Sequence, residues 1–217
     1  MKRFLKFYFL TAQLASLALL GVEAQAATPA FRLGPIAGLS VANQSINSSN
    51  VSVSFNSLTG FAGGLSAEFQ LQGLPDWLYF QPELIYIQKG ATIPASQNTA
   101  GTGQISVADN YLDIPLLLKA KYLTPVVSPY FLFGLDPAIL MSSTPIAVGS
   151  TQVSKVNSID LGLHFGVGAE YDLLPGTIVF FDIRYILGLT NIASGAVNQS
   201  VTNSDWLFLV GGRFDLF

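Results

Sequence analysis

The chain has 217 residues, of which 11% are charged and 50% apolar, and its mean hydropathy is +0.48. That suits a single domain in length but leaves too little charge to clothe a soluble surface. A formal net charge of −3 gives no basic footprint for nucleic acid, and the lack of cysteine excludes a disulfide framework, a thiolate metal site and a cysteine nucleophile.

The first segment reads as a targeting signal. Lys2, Arg3 and Lys6 form a basic head, the uncharged run from Phe7 to Val22 an apolar middle, and Ala24-Gln25-Ala26 a small-x-small cleavage site. Residues 1–26 are therefore expected to be a signal peptide and 27–217 the mature domain. The run is short for a bilayer-spanning helix and is interrupted by Thr11, Gln13 and Ser16. Removing Lys2, Arg3, Lys6 and Glu23 from 10 basic and 13 acidic residues leaves 7 and 12, a net of −5. No later stretch is long and apolar enough for a spanning helix, so a membrane protein of this sequence must be a closed barrel.

Eight segments follow in which oil and charge alternate with a period of two, the signature of strands with one face in each environment. The first, Phe31 to Ala42, sets Phe31, Leu33, Leu39 and Val41 against Arg32, Gly34 and Ser40, and leads into an Asn/Ser-rich loop from Asn43 to Thr59. The second, Gly60 to Leu71, opposes Phe61, Leu65 and Phe69 to Ser66, Glu68 and Gln70, and ends in a Gly73-Leu74-Pro75-Asp76 turn. The third, Trp77 to Gly90, separates Leu78, Phe80, Leu84 and Tyr86 from Gln81, Glu83 and Lys89; a polar loop runs from Ala91 to about Ala108.

The fourth, Tyr111 to Tyr122, has a fully apolar face of Leu112, Ile114, Leu116, Leu118 and Ala120 opposite Asp113, Lys119 and Lys121. Pro115 within it cannot donate to a ladder and marks an expected irregularity. The fifth, Tyr130 to Met141, places Phe131, Phe133, Leu135 and Ile139 against Gly134 and Asp136, before a loop from Ser142 to Asn157. In the sixth, Ile159 to Asp172, Leu161, Leu163, Phe165 and Val167 face away from Asp160, His164 and Glu170. A Leu174-Pro175-Gly176 turn leads to the seventh, Ile178 to Leu189, with Phe181, Ile183 and Tyr185 opposite Asp182 and Arg184. After the polar loop from Thr190 to Ser204, the eighth, Asp205 to Leu216, sets Trp206, Phe208, Val210 and Phe214 against Arg213 and Asp215.

The segment lengths meet the requirement of a tilted transmembrane strand, and four long connections alternate with three short ones, as surface loops alternate with periplasmic turns. Of 19 charged residues after Ala26, only Asp76 and Lys155 fall clearly outside strands or strand edges; the other 17 share the face opposite the apolar one. Aromatic residues collect at both ends of the apolar face: Phe69, Tyr122, Phe131, Tyr171 and Phe181 toward the turns, Phe61, Tyr86 and Trp206 toward the loops. A soluble sandwich gives no reason for two such girdles. The fold class expected is all-β, an eight-stranded antiparallel up-and-down transmembrane β-barrel. A hairpin of the third and fourth segments with paired positions summing to 202 would set Lys89 against Asp113, Glu83 against Lys119 and Gln81 against Lys121.

Several of these stretches resemble a known family. Gly60-Phe61-Ala62-Gly63-Gly64, Gln81-Pro82-Glu83-Leu84-Ile85-Tyr86 with Lys89-Gly90, Tyr111 to Lys119, Pro129-Tyr130 with Gly134, and Arg184-Tyr185 with Gly188-Leu189-Thr190-Asn191 are similar in order and spacing to the porin-like outer-membrane β-barrel domain family, common in Bacteroidetes-type bacteria. The resemblance covers nearly all of the chain after residue 26. It implies a small barrel in the bacterial outer membrane and brings no common catalytic residues. Gly211-Gly212-Arg213-Phe214-Asp215-Leu216 resembles the terminal signal read by the barrel assembly machinery.

The residues set the chemistry to expect. Arg32, Glu68, Glu83, Lys89, Asp113, Lys119, Lys121, Glu170, Asp182, Arg184 and Arg213 form the expected lumen charge network, since an eight-stranded barrel is just wide enough to be filled by side chains. His164, the single histidine, falls on the lumen face among glycines and aspartates, where a hydrogen-bonding role fits better than catalysis. Asp109, Asp113, Asp160 and Asp205 would form an acidic loop-side mouth with Lys89 as counter-charge, an oxygen-only set that a hard cation could use but solvated or protonated carboxylates explain more simply. Nucleophile elbows, phosphate loops and metal-spaced clusters are missing, so no cofactor is expected. The reading is a non-enzymatic, plugged outer-membrane barrel whose partners are membrane lipid, the assembly machinery and an unidentified loop ligand. The alternatives are a narrow channel for ions or small solutes and, third, a lipid-modifying enzyme.

Overall fold

The computed structural model of the protein describes residues 31–48, 56–71, 73–94, 105–143, 147–148, 151–152, 157–192 and 199–216. The expected signal peptide, Lys155 and Phe217 lie outside the described residues. Alternating side chains build long antiparallel strands: β1 (Phe31–Ser48), β2 (Asn56–Gln70), β3 (Leu78–Ile93), β4 (Ile105–Asp113), β5 (Leu116–Lys121) and β6 (Val127–Ser143). A two-residue pair, β7 (Ala147–Val148) and β8 (Thr151–Gln152), forms a separate small hairpin. β9 (Ile159–Leu174), β10 (Thr177–Gly188) and β11 (Gln199–Asp215) complete the set.

Nine strands close into a ring of eight staves, because β4 and β5 are two halves of one stave. Neighbours in sequence pair around the ring, and β1 pairs with β11 to close it, Arg32 opposite Asp215 and Leu39 opposite Phe208. Closure leaves no edge strand, the condition for crossing a bilayer with β-structure. The fourth stave breaks at Ile114-Pro115, where Pro115 has no N–H to donate, although Pro82 and Pro137 are accommodated within continuous strands. The break is bridged by single bonds, from Ile114 N–H to the Pro137 carbonyl (2.8 Å) and from Glu83 N–H to the Pro115 carbonyl (2.9 Å).

Two sequence expectations need correction. The strands run further toward the loop side than the composition suggested: β1 continues to Ser48, β2 begins at Asn56, β3 reaches Ile93, β4 starts at Ile105 and β11 at Gln199. Asn, Ser and Thr there still pair through the backbone, so a polar sequence was no sign of a loop. The third and fourth staves pair with positions summing to 198 and not 202, Ile85 opposite Asp113 and Tyr79 opposite Lys119. A shift of four preserves the two-residue phase, so it leaves each side chain on its own face.

At the turn end, Gly73 and Gly176 take φ of +80° and +75°, which glycine adopts without penalty. The outward positions carry exposed Leu39, Leu65, Leu84, Leu116, Leu118, Phe133, Leu135 and Val167, and both aromatic groups lie on this surface. The inward positions hold nearly all the charge.

Candidate functional site

Among the described residues the lumen concentrates the buried charge, and three zones divide it. Toward the turn end, Glu68 on β2 receives four cations. Lys119 Nζ lies 2.6 Å, Arg32 Nη1 3.1 Å, Lys121 Nζ 3.3 Å and Arg213 Nη1 3.3 Å from its oxygens. Glu170 on β9 shares Lys119 at 2.6 Å and pairs with Lys121, so strands on opposite walls are tied through the interior. Arg32 Nε also donates to Asp215 at 2.8 Å. The cations lie over rings as well, Lys119 3.9 Å from the Tyr130 centroid, Lys121 4.2 Å from Tyr79 and Arg213 3.9 Å from Phe180.

Midway, Arg184 on β10 spans the lumen to β3. Its Nη1 and Nη2 donate to Glu83 at 2.6 and 3.0 Å, and its Nε donates to Asp182 at 3.0 Å. Gln81 donates to Glu83 at 2.7 Å, and the Tyr130 hydroxyl donates to Asp182. Each partner of this chain is buried, which makes it an internal network and not a lining of open water.

Toward the loop end the balance turns acidic. Lys89 Nζ lies 2.7 Å from Asp113, and Asp136 stands beside that pair. Asp160 accepts from Asn203 Nδ2 at 3.0 Å and from Leu161 N–H at 2.9 Å. Asp109 accepts from Gln44 at 3.2 Å and from Ser143. Asp205 is buried with no hydrogen-bond partner among the described residues. Among those residues, no three His, Asp or Glu side chains converge as metal ligands.

Of the pairs expected from the sequence, Lys89 and Asp113 meet, across a diagonal of the hairpin. Glu83 and Lys119 do not: Glu83 takes Arg184, and Lys119 takes Glu68 and Glu170. Gln81 stands opposite Leu117, away from Lys121. The reason is geometric, since in a narrow barrel an inward side chain reaches a facing wall as readily as its neighbour. His164 is fully buried on the lumen face, but neither ring nitrogen has a hydrogen-bond partner among the described residues, and Nδ1 is 3.9 Å from Asp136. Among the described residues, no hydrogen bond accompanies the expected role.

A component that reasoning from charge missed fills the rest of the lumen. Ile36, Ala62, Ile85, Ile87, Phe180, Ile186, Leu207 and Leu209 form a buried apolar cluster against β10, β11, β1, β2 and β3. Leu117, Tyr130 and Leu132 form a smaller one on β5 and β6. The signal was present in Leu84-Ile85-Tyr86-Ile87 and Trp206-Leu207-Phe208-Leu209, where both faces are apolar.

A family model described as outer membrane protein beta-barrel domain matches residues 23–194. Among solved structures, Neisserial surface protein A aligns with a TM-score of 0.52 and 20% identity over 86% of this chain and 97% of that one. The outer membrane protein OprG from Pseudomonas aeruginosa aligns with a TM-score of 0.52 and 13% identity over 86% and 96%. At those identities the likeness is one of fold. No curated protein sequence matches the chain.

Proposed function

The chain belongs to the outer membrane protein β-barrel domain family, and from that premise we propose a non-enzymatic, closed barrel that anchors surface loops in the bacterial outer membrane. The observation that supports this reading is the filled lumen: charge networks on Glu68 and Glu83, with an apolar cluster between opposite walls. A transport route would need polar side chains facing water, whereas Arg184, Arg213, Lys119 and Ile85 are fully buried. A catalytic role for the single histidine is disfavoured by its position, enclosed in the lumen, away from the lipid-facing surface and without a hydrogen-bonded partner among the described residues. The strands that extend past the apolar belt then serve as a stalk presenting the loops. We assign membrane lipid as the structural partner, and the assembly machinery as the reader of the last strand.

Because the chain has no cysteine, a single introduced thiol reports closure cleanly. Ser40→Cys places it inside the lumen, and Ser57→Cys at an exposed loop-side position. A small water-soluble methanethiosulfonate should modify the second rapidly in the folded barrel and the first only after unfolding. Equal rates would mean an open lumen and favour the narrow channel.

A further inference from the structure

Charge is unevenly spread along the lumen. In the turn-side and middle networks, five cations meet five carboxylates. Toward the loops, Asp109, Asp113, Asp136, Asp160 and Asp205 are matched by Lys89 alone among the described residues, and none of these six is more than 3% exposed. A formal excess of four negative charges is enclosed there, a state too costly to persist unless something neutralises it.

Hydrogen bonding locates the excess. Asp109 and Asp160 accept from Gln44 and Asn203, and Asp113 holds Lys89 at 2.7 Å. Asp136 and Asp205 receive no hydrogen bond among the described residues. Asp113 on β4 faces Ala138 on β6, so Asp136, two positions along on the same face, stands diagonally beside it with the two carboxyl groups in hydrogen-bonding reach. While both are ionised neither can donate to the other, and their charges repel. One proton between them removes both costs, since the protonated oxygen donates and its neighbour accepts.

The surrounding walls offer no better neutraliser. From β9, His164 is fully buried without a hydrogen-bond partner among the described residues, and its Nδ1 lies 3.9 Å from Asp136, too far for a hydrogen bond. Lys89 of β3 and Arg184 of β10 are the cations that face its ring, so an imidazolium would add a third positive charge beside them. β1 and β2 bring only uncharged inward residues to this level, Ser40, Gln44, Gly60 and Ala62, and Tyr111 of β4 and Asp205 of β11 complete the wall. Among the described residues, no three His, Asp or Glu side chains converge on a metal ion.

We propose that Asp113 and Asp136 bind one proton between them in the folded barrel, and that its loss as the pH rises loosens the loop-side half of the lumen. Infrared spectroscopy of the untagged, refolded full chain in lipid vesicles tests it. At neutral pH the wild type shows the carbonyl stretch of a protonated carboxyl, which fades reversibly in mild alkali, and Asp136→Asn loses one carboxyl's share of that band. No such band in the wild type, or an undiminished band in Asp136→Asn, overturns the proposal. Urea unfolding gives a second reading. The pair keeps its proton where a free carboxyl has lost it, so the wild type's unfolding constant rises about tenfold per pH unit until the proton leaves. Asp136→Asn, which donates without titrating, flattens that rise; a variant weakened equally at every pH would have lost only a structural contact and overturns the site. Two further results would also overturn it. An imidazolium signal in the magnetic resonance spectrum of the wild type at neutral pH would put the proton on His164. Stabilisation by sodium or calcium chloride over choline chloride at equal ionic strength, lost in Asp136→Asn, would put a metal ion there instead.

Discussion

Replacing Arg184 by methionine keeps most of the side chain's volume and removes its charge from the middle of the lumen. Glu83 then loses donors at 2.6 and 3.0 Å and retains only Gln81, while Asp182 loses Nε and Nη2 and retains Tyr130. Both carboxylates are buried, so water does not replace what is lost. Charge-assisted hydrogen bonds contribute about 1.5–3 kcal/mol each, and breaking a buried pair from one side costs about 3–5 kcal/mol. The upper figure is the better expectation here, since one cation serves two anions. Urea unfolding in lipid vesicles, followed by tryptophan fluorescence and by heat-modifiable gel migration, measures the loss. The double variant Glu83→Gln/Arg184→Met should be at least about 2 kcal/mol more stable than the sum of the single changes, because it also removes the orphaned charge. An Arg184→Met barrel within about 1 kcal/mol of wild type, or strictly additive variants, would refute an interior held by this network.

Three other outcomes follow from the same geometry. Leu118→Arg puts a charge on the exposed lipid face and should cost about 2–4 kcal/mol in vesicles if that position lies near the midplane, measured by the same unfolding assay; a neutral result would contradict the assignment of faces. Gly134→Ala would bring a Cβ within 2.0 Å of the Leu116 carbonyl, so β5 and β6 must separate there and the yield of heat-modifiable barrel should fall sharply. Incubation of the wild type with lipid A should release no acyl chain, and His164→Ala should behave identically; release that His164→Ala abolishes would make the protein an enzyme.

The barrel was legible because its physics is local. A period of two tells which side chains share a face whatever the register, so the eight staves, the apolar belt and the inward charges could all be read from residues such as Leu116, Leu118, Lys119 and Lys121. Pro115 pointed to an irregularity in the fourth stave because it has no N–H to donate, yet Pro82 and Pro137 share that lack inside continuous strands. Matters that depend on closure were not legible. Spacing cannot say that Lys119 looks across at Glu170, or that Arg184 finds Glu83, 101 residues away in sequence. The register differed by four because a pairing chosen to match Glu83 with Lys119 ignored these facing walls. The apolar lumen cluster is hard to read from charge, because Ile85 and Leu207 occupy inward positions that carry none.

Single-channel recording of the refolded wild-type barrel in planar bilayers tests the closed lumen most directly. With Glu68 and Glu83 both engaged by cations from facing walls, no steady conductance above that of the bare bilayer is expected. Stable unitary steps in the wild type, changed in size by Arg184→Met, would show that ions pass through the lumen and would contradict the account.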